Sequence, residues 1–336
     1  MEACVITTYR CNARCQMCNT WQHPSKRSEE IGSEVMQRLP AGLDKINISG
    51  GEPGLRGDLV KIVEVLRTKT RAIDISTNGY FTDRLVEVAH RFPDVAFRIS
   101  VEGLPKLNDQ LRGIKNGFER ALKTVIRLRL EGVKSAGFGI VISDRNKSDL
   151  LDLYHLCVMM GIEFGSSTMH NSFYFHKHDN RVEDLNGTVE QMHKFIESLL
   201  QSKRSSLKLR LKDWGRAFIN YGILQHLQGR SRPIPCGAGT ELFFLDPYGR
   251  ILACNGSEEP WVMGDLKEQT FDEIWTSTQA AAIRTQVAQC QRNCWMVGSA
   301  RPAMRSNPWV PLLWIARNKI KLAFKKDIWC ESELSK

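Results

Sequence analysis

The chain has 336 residues, 25% charged and 42% hydrophobic, the proportions of a folded globular protein and not of a disordered or membrane-spanning one. Its net charge of +10 is unevenly placed, with eight Lys/Arg against three Asp/Glu after position 300, so a uniform nucleic-acid-binding surface is excluded and no nucleic-acid partner is expected. The longest apolar run, Trp309–Ala316, is far too short to cross a bilayer, and the first predicted strand follows Met1 so closely that no signal peptide is expected.

Up to about Ser172, short apolar runs alternate with longer helical patterns. The predicted strands are Ala3–Tyr9, Lys45–Ser49, Ala72–Thr77, Ala96–Val101, Ala136–Ser143 and Glu163–Met169. The predicted helices between them are Ser33–Leu39, Asp58–Thr68, Thr82–Arg91, Gly117–Glu131 and Ser148–Met160. Repeated β-then-α order implies a parallel sheet with right-handed crossovers. Six such units make an α/β fold of the partial (β/α)6 TIM-like kind, open on one side. In such barrels chemistry sits on the loops after the strands.

The first of those loops is Cys11-Asn12-Ala13-Arg14-Cys15-Gln16-Met17-Cys18. Three thiols within eight residues can wrap one inorganic centre. A 4Fe–4S cube has four irons, so three Cys leave one iron open to an outside ligand. A zinc knuckle, or a cluster used only for electron transfer, is the alternative; zinc would need a fourth ligand, for which only His23 is close. After the second strand comes Gly50-Gly51-Glu52-Pro53. The glycines let backbone approach a ligand, Glu52 offers a carboxylate there and Pro53 stiffens the exit, although a plain turn explains the same residues. The third and fourth strands end in Ser76-Thr77-Asn78-Gly79 and Ser100-Val101-Glu102-Gly103. These small polar groups suit a ligand, or simply a satisfied polar interior. Cys157, among apolar residues, reads as core. The sixth strand runs into the His- and aromatic-rich stretch 170–178, where His170 and Tyr174 are candidates for positioning substrate or donating hydrogen; a lid without chemistry is the alternative.

Helices are then predicted at Val189–Gln201 and Asp213–Leu227. Cys236 follows, then a hairpin of Glu241–Leu245 and Arg250–Ala253 turning at Asp246-Pro247-Tyr248-Gly249, then Cys254, a helix Phe271–Val287, and Cys290 and Cys294. Four thiols close one site, for zinc or a 4Fe–4S cluster alike. Grouped cysteines argue for metal ligation over disulfides, hence for a reducing, cytoplasmic setting.

The Cys11–Cys18 spacing resembles the defining motif of the radical S-adenosylmethionine (SAM) superfamily. The resemblance implies that Cys11, Cys15 and Cys18 hold a 4Fe–4S cluster whose open iron binds SAM, and that reductive cleavage yields methionine and a 5′-deoxyadenosyl radical. It further implies that the Gly50–Pro53 loop holds the SAM amino group. Ser76, Asn78, Ser100 and Glu102 would contact ribose and methionine carboxylate, and Met17, in place of the usual aromatic, would pack on adenine. The second group resembles the SPASM or twitch extension of such enzymes, in which a Cys, a hairpin and a Cys five residues after a turn Gly recur, as Gly249 and Cys254 do here. Four cysteines, not seven, match the single-cluster twitch form, with an auxiliary 4Fe–4S cluster on Cys236, Cys254, Cys290 and Cys294. The gap between Cys290 and Cys294 departs from the pattern and keeps Cys330 in reserve as the fourth ligand.

The implied organisation is a barrel at 1–195, a helical connector at 196–235, the cluster module at 236–300 and a basic tail at 301–336. The implied activity is oxidation or rearrangement of a small molecule (sugar, polyol or lipid-linked saccharide) by a radical SAM oxidoreductase-type enzyme, reduced by a partner such as flavodoxin or ferredoxin. A peptide-modifying maturase is the alternative enzyme, and an iron–sulfur electron carrier the non-enzyme one; the carrier leaves the Gly50–Pro53 loop unexplained. In the tail, Trp309, Leu312, Leu313, Ala316, Ile320, Ala323 and Phe324 share one helical face, flanked by Arg317, Lys319, Lys321, Lys325 and Lys326. Either that face packs on the barrel, or the helix touches the inner membrane face.

Overall fold

A computed structural model describes residues 1–329. Six parallel strands pair in chain order: β1 (Glu2–Ile6), β2 (Lys45–Ser49), β3 (Ile73–Thr77), β4 (Ala96–Ser100), β5 (Ala136–Ile142) and β6 (Glu163–Thr168). Between them run helices α1 (Ser33–Met36), α2 (Leu59–Arg67), α3 (Thr82–Arg91), α4 (Pro105–Arg112), α5 (Gly117–Leu130) and α6 (Leu150–Met159). Successive strand side chains point to opposite faces. One set, including Val5, Ile46, Ile48, Ile75, Phe97 and Ile99, is fully buried in the core shared with the helices. Helix α2 supplies Leu59, Ile62, Val63 and Leu66, at helical spacing, to the same core. The other set is polar or small and faces a lumen: Glu2, Lys45, Asp74, Arg98 and Glu163, and two residues further along each strand Cys4, Asn47, Ser76, Ser100 and Gly165.

Beyond the half-barrel lie α7 (Leu185–Leu200) and α8 (Leu207–Leu227), then β7 (Leu242–Leu245), β8 (Arg250–Leu252) and β9 (Val262–Asp265). They are followed by α9 (Phe271–Thr276), α10 (Thr278–Ala288), α11 (Val297–Ser306) and α12 (Trp309–Ala323). Strand β7 pairs in parallel with the free edge of β1, from Glu2↔Leu242 to Val5↔Leu245, and β8 and β9 continue antiparallel. One nine-stranded sheet therefore runs from the barrel into the second cysteine region.

Several elements differ from the sequence expectation. Strand β1 ends at Ile6: Thr7 N–H still donates to Ser49 O of β2, but Tyr9 N–H turns away to Ser25 Oγ. The helix expected at Phe271–Val287 breaks at Ser277, whose hydroxyl accepts from Ala280 N and starts a second helix. Helix α8 begins earlier than expected, capped by Ser206. Helix α4, with few apolar residues, was not predicted. Residues 301–306, expected in the tail, complete α11, and Arg301 and Arg305 reach Asp74 and Glu2 at the lumen floor.

Glu163 shows how the lumen holds charge. Burial pushes its carboxylate up, but Arg98, Arg216 and Lys212 outweigh that and leave it well below the ordinary carboxylate range. A carboxylate depressed on folding contributes stability above its unfolded pKa and loses it as pH falls through its folded one. The stability gap between wild type and Glu163→Gln, measured by urea unfolding, is thus expected to be widest above about pH 4.5 and to shrink on acidification; a gap that does not change with pH would refute this.

Candidate active site

The segment leaving β1 is fixed before it reaches the first cysteine. Glu30, buried, accepts from Ser25 Oγ at 2.7 Å, from Arg10 Nε and Nη2 at 2.9 and 2.8 Å, and from Thr8 Oγ1. Gly51 N donates to Thr8 O at 2.7 Å and Glu52 N to Arg10 O at 2.9 Å, so the loop after β2 is stitched to the segment after β1. A Cβ at Gly51 would stand 2.3 Å from Arg10 O, which leaves only glycine there. Further on, Arg14 N and Gln16 N donate to Arg112 O and Leu111 O of α4, each at 2.9 Å. Asn180 Nδ2 donates to Met17 O and Asn19 N to Phe175 O. Anchored on all sides, Cys11, Cys15 and Cys18 form part of the wall of one cavity of about 800 Å³.

The donor set fits an iron–sulfur cube. Burial pushes the Cys11 thiol up to about 12 and raises Cys15 as well, so these ligands need a positive centre to become thiolates. Arg112, buried in the same wall, lowers both. Its Nη1 donates to Glu102 Oε1 at 2.9 Å, and the other Glu102 oxygen accepts from Val141 N at 2.7 Å. A cube on three thiolates would carry about one net negative charge, for which the Arg112 guanidinium in the same wall would be a counter-charge. Among the described residues no three His, Cys, Asp or Glu side chains close on a single point as one zinc ion would require. Trp21 Nε1, in a residue of the same wall, is a buried donor with no protein partner, available to a bound molecule.

Gly50, Gly51, Ser76, Asn78, Ser100, Glu102 and Met17 all line this cavity. Two carboxylates expected at the ligand are instead engaged by the protein. Glu52 accepts from Thr77 Oγ1 and Asn78 N, each at 2.6 Å, and from Gly54 N at 2.8 Å, so it ties the β2 loop to the end of β3. With Pro53 it lies behind the cavity wall, not in it. Glu102 spends both oxygens on Arg112 and Val141. Asn78 links Nδ2 to Asn12 Oδ1 at 2.8 Å, and Ser76 Oγ accepts from Asn47 Nδ2 at 3.0 Å.

Tyr174 and His170 part company. Tyr174 lines the main cavity and donates to Gly50 O at 3.0 Å, and burial raises its phenol well above the ordinary value. His170 lines a separate cavity of about 280 Å³ with His226, their ring centroids 5.2 Å apart. Burial and that neighbour lower its pKa to about 3. His170 thus lies outside the lining of the main cavity, in a cavity that shares Cys294 with it.

In the second group, Cys236, Cys254 and Cys294 line the main cavity, while Cys290 is exposed outside its lining. Burial pushes the Cys254 thiol up to about 12, and Cys294, Cys236 and Cys290 add to the rise, so the four share one field. Trp295, fully buried, donates its indole N–H to Ile219 O at 2.9 Å and seats the adjoining Cys294. Cys330 lies outside the described residues. Besides the seven grouped thiols the described residues hold only Cys4, in the lumen wall, and Cys157, in the core as expected. Arg112 was missed by sequence reasoning because its helix was; its only signal is a cation ten residues after Glu102.

The model of the radical SAM superfamily matches residues 5–157, and that of an iron–sulfur cluster-binding domain of the SPASM type matches 236–295. Residues 5–157 are thus a radical SAM domain, with a SPASM-type domain at 236–295 behind the barrel. It is 27% identical to a pre-heme d1 synthase of Dinoroseobacter shibae over 80% of this chain and 71% of that protein. It is 28% identical to the sporulation killing factor maturation protein SkfB of Bacillus subtilis, over 84% and 67% respectively. Streptococcus suis SuiB bound to S-adenosylmethionine shares the fold at a TM-score of 0.64 and 16% identity, over 84% of this chain and 67% of that one. This radical SAM protein is thus an enzyme, not an electron carrier, and its cofactors are SAM, the cluster that binds SAM and auxiliary iron–sulfur.

Proposed function

We propose that this enzyme removes a hydrogen atom from an extended peptide held in the lumen between its two cysteine groups. Cys11, Cys15 and Cys18 would hold the SAM cluster, and Cys236, Cys254, Cys290 and Cys294 a single auxiliary cluster. When bound, the first cluster and SAM supply the 5′-deoxyadenosyl radical. The chain's own residues do the rest. Tyr174 locks the Gly50 carbonyl, Arg112 supplies the counter-charge, and Ser76, Asn78 and Ser100 offer polar contacts along the wall. Electrons would come from a partner such as flavodoxin or ferredoxin.

The observation that carries the peptide assignment is the depth of the lumen. It is lined from the first residues of the strands to the cysteine loop, and Arg301 and Arg305 at its floor are partly open to solvent. Five strand residues at about 3.3 Å each make roughly 16 Å, the reach of about five extended residues. A monosaccharide fills only part of that. SkfB is a maturation protein, and SuiB is known bound to a precursor peptide, SuiA. The sugar, polyol or lipid-linked saccharide expected from sequence has no such counterpart among these relatives.

Gly139 and Gly165 keep the lumen open: a Cβ there would meet only a backbone oxygen, at 4.0 and 3.9 Å. Gly165→Leu is expected to keep its iron and its melting temperature while losing substrate-dependent 5′-deoxyadenosine formation. With the wild type, a perdeuterated peptide library should pass deuterium into 5′-deoxyadenosine and perdeuterated nucleotide sugars should not. Deuterium from the sugars alone would overturn the peptide assignment.

We also propose peripheral membrane contact through α12. The helix packs on α8 by Trp314, against Phe218 and Tyr221, and buries Pro311 and Asn318. The side expected to pack is turned outward, leaving Trp309, Leu313, Ile320 and Phe324 exposed at 72, 68, 59 and 73%. Lys325 and Lys326 are exposed at its end. No helix among the described residues is long and apolar enough to cross a membrane. Basic residues near an anionic surface contribute about 1 kcal/mol each, and salt screens them, so attachment at the inner membrane face would be reversible. Wild type is expected to co-sediment with phosphatidylglycerol liposomes in low salt and largely release in high salt, whereas Leu313→Glu/Phe324→Glu stays in the supernatant. Equal sedimentation of the two proteins would remove the membrane role.

A further inference from the structure

The floor of the lumen is a layer of charge at the strand ends away from the Cys11–Cys18 loop. Glu163 is its hub. One of its oxygens accepts from Lys212 Nζ and Ser135 Oγ, each at 2.7 Å; the other accepts from Arg98 Nη2 at 3.1 Å and from Arg216 Nη2. Beside it Asp74 holds Lys45, with Arg301 Nη1 3.7 Å away, and Glu2 accepts from Arg305 Nη2 at 2.9 Å. Six cations thus share the cavity floor with three carboxylates.

The acids just behind the floor do not cancel this excess. Asp213 is shared by Arg216 and Arg204, and Asp44 by Arg305 and the N-terminal ammonium. Each of the six cations has a carboxylate partner, so the floor is a paired network with an excess of positive charge, and Arg301 and Arg305 in it remain 43 and 51% exposed. Lys212 directs one of its three N–H bonds to Glu163 and is about a third exposed.

We infer that the lumen floor is an anion-binding subsite that anchors an acidic group of the substrate. It rests on the peptide assignment for the choice of group, which is then a carboxylate, from an acidic side chain or a C-terminus. Guanidinium groups suit a carboxylate because they donate in a fork. An anchor at the floor sets the register of the chain: the residue presented to the cysteine loop stands about four or five positions from the acidic one, at about 3.3 Å per residue. The floor would thereby select both the sequence and the site of attack.

Calorimetry on the anaerobically reconstituted holo-protein tests this with acetyl-Glu-Glu-Glu-amide, acetyl-Gln-Gln-Gln-amide, the latter as a free acid, and inorganic phosphate. The acidic amide is expected to bind at least tenfold more tightly than its neutral twin. That preference should vanish in Lys212→Gln/Arg301→Gln, at unchanged iron content and with the protein still folded by circular dichroism, and return with Lys212→Arg/Arg301→Lys. Tight binding of the free acid alone assigns the subsite to a C-terminal carboxylate. Equal binding of the acidic and neutral peptides, or a preference that survives the double substitution, overturns the subsite and leaves the peptide assignment standing. Phosphate binding lost in the double variant, with no binding of any peptide, retains the subsite and overturns the peptide assignment.

Discussion

Strand β1 is hydrogen-bonded along both edges, to β2 on one side and to β7 on the other, and the arrangement of the site depends on that double pairing. Cys11 follows the far end of β1. Cys236 precedes β7 at the end where Glu2 pairs with Leu242, and Cys254 follows β8, which runs back to that end. The strand pair thus ties both cysteine groups to one sheet, and Cys11, Cys15, Cys18, Cys236, Cys254 and Cys294 face the same cavity.

What fixes the first group is a set of buried carboxylates used as fasteners. Glu30 clamps the exit of β1, Glu52 joins the β2 loop to β3, and Glu102 joins α4 to β5 through Arg112 and Val141. Removing one partner of a buried ion pair such as Glu102–Arg112 costs about 3–5 kcal/mol, because the other charge is left unpaired. The loops that approach the cofactors are therefore rigid before any ligand arrives, which favours a single geometry at the reacting centre.

Much of this was legible in the sequence. The six barrel strands show because one face is buried under helices while the other lines a lumen, so residues such as Ile46, Asn47 and Ile48 alternate. The Cys11–Cys18 loop and the Gly50–Pro53 loop show because close approach admits few residue types. What failed was whatever depends on the direction of a side chain or on distant pairing. Glu52 and Glu102 carry the right chemistry for a ligand, yet their oxygens are consumed by neighbours that sequence spacing does not reveal. The β1–β7 pairing joins residues 240 positions apart and has no local signature. In α12 the residues that share the apolar face are exposed, while Trp314, Ile315 and Leu322, outside that set, pack against the core.

The most direct test is the iron and 5′-deoxyadenosine yield of anaerobically reconstituted protein. Wild type should hold about eight irons per chain, four per cube, and cleave SAM when reduced. Cys11→Ala/Cys15→Ala/Cys18→Ala should hold about four and form no 5′-deoxyadenosine, whereas Cys236→Ala/Cys254→Ala should hold about four, still cleave SAM and yield no product. A triple variant that keeps all its iron or still forms 5′-deoxyadenosine, or zinc in place of iron at the second group, would contradict two iron–sulfur centres facing one substrate cavity.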